Sequence, residues 1–201
     1  LLGPSPVTWQ VFVLGLRWLT AAGAWWTLRL LWPEHRRQAL YAALLFVLYP
    51  VFTQQPIAIT FHQQWLQYAL YFLSTAAMLL AVRGGRPSWL LTLAALTGMA
   101  LELSVTEYFV GLEALRLVLL GLVTHRGGGI LRQRAGRWVR YALPYATLLG
   151  GYILWRLFFI QLPGEDPYQA QMLTGLFTQP VATLRALAQM AITDSMYVLL
   201  G

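Results

Sequence analysis

Apolar runs of helical length follow one another along the whole chain, broken only by short polar segments. A bilayer core of about 30 Å takes about 20 apolar residues of helix. Six stretches have that character: Val7–Trp32, Gln38–Phe52, Pro56–Val82, Ser88–Leu103, Glu107–Thr124 and Arg137–Ile160. Proline punctuates them, with Pro33 stopping the first and Pro56 standing where a first helical residue favours it. Beyond Ile160 the chain turns polar over Leu162–Gln171, and Pro180 then opens a further helix with Val181, Leu184, Ala188 and Ala191 at helical spacing. That segment, 178–201, reads as an interfacial helix on the outer face or the start of a seventh span. The pattern predicts an all-α fold. It is a polytopic transmembrane bundle of about six spans plus the outer interfacial helix, in a single membrane domain over 1–201.

Charge fixes the sidedness. The basic residues are all arginine, and they crowd into every second connection: Pro33–Gln38, Arg83–Ser88 and His125–Arg140. The intervening segments Leu1–Thr8, Thr53–Gln64, Ser104–Thr106 and Gln161–Gln171 carry none. This is the positive-inside rule repeated across successive crossings, so the arginine-rich turns read as cytoplasmic and the protein as an integral one, of the plasma or inner membrane. The net charge of +7 then belongs to inner loops and speaks against nucleic-acid binding. Trp32, Trp89 and Trp138 at expected inner ends, with Trp9, Tyr49 and Tyr108 at outer ones, add an interfacial belt. There is no cysteine, which removes disulfides and thiolate chemistry. The His residues have no i,i+4 pairing, so no metal site and no cofactor are expected. Position 1 is Leu rather than Met, and the last helix breaks off within its pattern. The chain reads as an internal piece of a longer protein.

Some polar residues fall inside the spans. Counting about 1.5 Å per residue from the outer ends puts Arg17 and Arg116 about 15 Å deep and Glu113 about 10 Å deep. A charge at such depth needs a partner. Glu113 and Arg116 are three apart on one helix face and can pair, and Arg17 is a candidate third member of a structural ion-pair cluster. An ion or proton relay would need a chain of carboxylates that the spans lack. A second set faces outward: Gln54, Gln55, His62, Gln63 and Gln64 around one turn, Glu102 and Glu107 flanking another, and Arg156 about 6 Å deep. Each has a plain explanation. Ser104 and Glu107 have capping-box spacing, Arg156 can snorkel to headgroups, and His62 can sit in water. As a group they exceed what inert turns need.

The order of these residues resembles that in membrane glycosyltransferases of the GT-C superfamily, such as protein O-mannosyltransferases and their bacterial relatives. Leu2-Gly3-Pro4-Ser5-Pro6-Val7-Thr8-Trp9 is similar to the end of their first outer loop. Ala42–Gln64, with its Leu-Tyr-Pro-Val-Phe, is similar to an outer hairpin, and Thr106-Glu107 to their Lys-Glu. The chain departs from the pattern with Phe52 and Gln54 after the proline, His62 and Gln64 at the next helix start, and Thr106 for the lysine. The resemblance implies glycosyl transfer from a polyprenyl-phosphate-linked sugar to an acceptor on the extracytoplasmic face. It also implies a catalytic aspartate upstream of Leu1. Arg156 and His62 are then candidates for the donor phosphate, and Gln54, Gln64, Glu102 and Glu107 for sugar or acceptor. The competing expectation is a non-enzymatic polytopic protein, either a transporter or a binding-only relative. The partners expected are membrane lipid and, as the resemblance implies, the polyprenyl-phosphate sugar donor.

Overall fold

The computed structural model describes residues 5–48, 58–83, 88–106, 109–126, 130–159 and 178–200, and every element among them is helical. Helix α1 (Pro6–Leu31) has proline at its start and is stopped by Pro33, one residue after Trp32, whose N–H still reaches the Leu28 carbonyl at 2.8 Å. A 3-10 turn, Pro33–His35, leads directly into α2 (Arg36–Leu48). Helices α3 (Ala58–Arg83), α4 (Trp89–Val105) and α5 (Val110–Arg126) follow. They begin and end within a few residues of the apolar stretches.

Helix α6 (Leu131–Phe159) departs from expectation by starting six residues before Arg137. Leu131–Gly136 looked like loop because it is basic and polar. However, leucine, arginine, glutamine and alanine are all good helix formers, and the amides of Gln133 and Arg134 close on the Ile130 carbonyl. Pro144 lies inside α6 without ending it. The last element is α7 (Pro180–Leu200).

The sequence reads as one domain, whereas the chain falls into two compact units, Leu1–Leu154 and Trp155–Gly201. In the first, α3 is the central helix, with α1 and α4 as its principal neighbours. Close approach is achieved with small residues. A Cβ on Gly98 would stand 2.7 Å from the Ser74 Cβ, and one on Gly23 would stand 3.1 Å from the Phe72 Cβ. Hydroxyls of α1 fasten it to α3: Thr20 donates to the Trp65 carbonyl at 3.2 Å and Thr27 to the Phe72 carbonyl at 2.9 Å. Small residues and hydroxyls are how helices associate where no water is available to drive apolar packing.

Beside an apolar core, polar and charged residues are also buried, and many large apolar residues are exposed. Thr20, Gln67, Ser74, Glu102, Glu113 and Arg116 are buried, while Trp18, Leu45, Leu48, Trp89, Leu90 and Leu143 are exposed. The helices Pro6–Leu31 and His62–Arg83 are long and apolar enough to cross a membrane, and the 17-residue α4 is a shorter apolar helix. In the second unit, α7 exposes Val181, Leu184, Met190 and Ile192.

Candidate functional site

Two polar constellations occupy the first unit. The deeper one is centred on Arg116. Its Nε donates to Glu113 Oε2 at 2.7 Å and its Nη2 to Glu113 Oε1 at 2.9 Å, a fork that the i,i+3 spacing on α5 makes possible. Nη2 also meets Glu102 Oε2 of α4 at 3.0 Å, and Nη1 donates to Ser74 Oγ of α3 at 2.8 Å. The Tyr71 ring lies 5.0 Å from the guanidinium carbon. Arg116 is 0% exposed and both acids 1%. The backbone makes this convergence possible. Gly98 lets α4 approach α3 at Ser74, and Glu102 lies one turn further along the same face. One Glu102 oxygen, Oε1, has no hydrogen-bond partner.

Above this cluster the end of α4 is clamped. Gln67 Nε2 donates to the carbonyls of Glu102 and Thr106, at 3.2 and 2.9 Å, while its Oε1 accepts from Thr106 Oγ1 at 2.8 Å. A helix C-terminus leaves carbonyls without intrahelical partners, and Gln67 supplies donors for them from a neighbouring helix.

The second constellation follows the α1–α3 seam. Trp9, Val13 and Arg17 recur every four residues on α1. His62 packs against Trp9 with ring centroids 4.9 Å apart, and the Arg17 guanidinium carbon stands 4.7 Å from the centre of the buried Trp65 ring. Arg17 also edges a groove of about 180 Å³ between α1 and α2, with Leu14, Trp18, Leu44, Val47 and Leu48 as the main apolar lining. A cation at the rim of an apolar groove suits an amphipathic ligand with an anionic head.

Of the residues singled out from sequence, Glu113 and Arg116 are in contact. The third charged member of their cluster is Glu102, expected instead as a sugar or acceptor ligand. Arg17, expected in that cluster, stands over Trp65. His62 and Gln64 are half-buried near the start of α3. Arg156 is half-buried near the end of α6, in the second unit. Gln54 and Glu107 lie outside the described residues. Ser74, Tyr71 and Gln67 were not singled out. Gln67 carried a signal, being an amide within an apolar run, whereas Ser74 and Tyr71 carried none, because such residues are ordinary in any helix. Compared with known proteins, the chain matches no family model, no curated protein and no solved structure.

Proposed function

We propose that the chain is part of a multi-span membrane protein, with its arginine-rich turns on the cytoplasmic side, that binds a polyprenyl-phosphate sugar and transfers the sugar on the opposite face. The observation that carries the reading is the groove edged by Arg17. Its apolar walls suit a polyprenyl chain, and its guanidinium suits the phosphate. His62, which the resemblance assigns to the donor phosphate, packs against Trp9 and is not among the residues lining this groove. Exposed large apolar residues and two helices of spanning character support the membrane setting. In the transfer, a base takes the proton of an acceptor hydroxyl. The oxygen then bonds to the anomeric carbon, and the carbon–oxygen bond to the polyprenyl phosphate breaks. Cations stabilise the departing phosphate. The base is expected from sequence upstream of Leu1.

A binding-only role is the second reading, and one feature favours it. Glu102, which the resemblance would assign to sugar or acceptor, is engaged with Arg116.

The full-length protein in detergent separates these readings, with farnesyl phosphate as the binding probe and a radiolabelled polyprenyl-phosphate hexose as donor. Transfer together with binding supports the enzyme, and binding without transfer supports the second reading. Failure to bind farnesyl phosphate rejects both. Single cysteines at Gln55 and Gly128, in a chain with no native cysteine, should react with an impermeant reagent from opposite faces. Reaction from one face rejects the proposed topology.

A further inference from the structure

The end of the first unit where α1, α3 and α5 finish is built on arginine. Arg83, at the end of α3, donates from Nη2 to the Leu30 carbonyl, and Arg126, at the end of α5, donates from Nη1 to the Leu31 carbonyl. Both acceptors belong to the last turn of α1, where carbonyls lack helical partners and the helix dipole is negative. Capping accounts for one nitrogen of each guanidinium. It does not account for the cleft of about 460 Å³ that opens beside them, lined by Arg83, Arg126 and Arg137 together with Tyr141 and the apolar walls of Leu30 and Val82. Among the described residues that line it, none is a carboxylate.

Three guanidiniums line one cleft, and their planar forks of N–H donors fit phosphate oxygens. The apolar walls would receive the carbon skeleton next to such a phosphate. Basic pockets between spans, on the side with positive loops, face a leaflet rich in anionic lipid.

We propose that this cleft binds the phosphodiester headgroup of an anionic phospholipid. The proposal rests on the membrane reading above but not on glycosyl transfer. Arg137 is the residue to test, because Arg83 and Arg126 also cap α1 and their loss can unfold it. Arg132, exposed on α6 and outside the cleft, is the control.

The experiment titrates purified full-length protein in a neutral detergent with short-chain phosphatidylglycerol, and in separate arms with short-chain phosphatidylcholine and inorganic phosphate. Thermal shift and native mass spectrometry are the readouts. Phosphatidylglycerol should bind and stabilise the protein, and phosphatidylcholine should not. Arg137→Gln should weaken phosphatidylglycerol at least about tenfold, the scale of one lost hydrogen bond to a charged group, while Arg132→Gln leaves it unchanged. Equal binding of the two lipids, or Arg137→Gln and Arg132→Gln behaving alike, overturns the proposal. Inorganic phosphate binding as tightly as phosphatidylglycerol overturns the lipid assignment, leaving a site for a soluble anion. Because the titration is done in micelles, its outcome is independent of the sidedness labelling, and the two readings fail separately.

Discussion

Arg116 and Arg17 are both arginines within apolar helices of the first unit, and the structure treats them in opposite ways. Arg116 is sealed among Glu113, Glu102, Ser74 and Tyr71, with each of its nitrogens bonded and no exposed surface. Arg17 is half-buried, laid on the Trp65 face at the rim of an open groove. The difference lies in the neighbouring helix faces rather than in the arginine. At Arg116, the Gly98 contact holds α4 against α3 and brings the Glu102 carboxylate with it. At Arg17, the Trp65 ring and an apolar groove adjoin the guanidinium. A closed cation of the first kind holds helices together. A cation of the second kind, only half-buried, borders a groove lined by apolar side chains.

The sharpest way to break this contrast is to remove each guanidinium. Arg116→Ala leaves two carboxylates buried without their counter-charge, and should cost about 3–5 kcal/mol of unfolding free energy in detergent. A loss no larger than that from Arg17→Ala would end the distinction. Next in size is Glu113→Gln, which breaks the fork and should cost about 1.5–3 kcal/mol, the range for hydrogen bonds to a charged group. An unchanged melting temperature would mean that Glu102 alone suffices. Gly98→Ala tests the backbone approach itself, with an expected cost of about 1–3 kcal/mol from overpacking against Ser74. Gly111→Ala, where an added Cβ meets nothing within 4 Å, should be tolerated, and equal effects from the two would remove close approach as the cause. The smallest effect is expected for Arg17→Ala, about 0.5–2 kcal/mol for a cation over an aromatic face. In the full-length protein its larger consequence should be a weaker affinity for farnesyl phosphate.

The helical order was legible in the sequence because apolar runs and prolines mark it directly, as at Pro33, where α1 stops. The start of α6 was not, since its basic and polar composition reads as a loop even though most of its residues are good helix formers. The Glu113–Arg116 contact followed from spacing on one helix. The third partner did not, because Glu102 stands at the outer end of its apolar stretch, far from the depth that counting gives Arg116, and only the α3–α4 approach at Gly98 brings it to the cluster. Likewise, Gln67 was visible as a misplaced amide, but its role as a clamp depends on where α4 ends beside it.

The i,i+3 placement of Glu113 and Arg116 has a consequence for biogenesis. Helix α5 carries its guanidinium together with its own counter-ion, so the two charges can enter a bilayer as a neutral pair, at far lower cost than either alone. Helix α4 is made earlier and carries a single acid, Glu102, with no basic residue on the same helix. In the proposed membrane setting, that carboxyl would gain its counter-charge only once α5 brings Arg116 beside it.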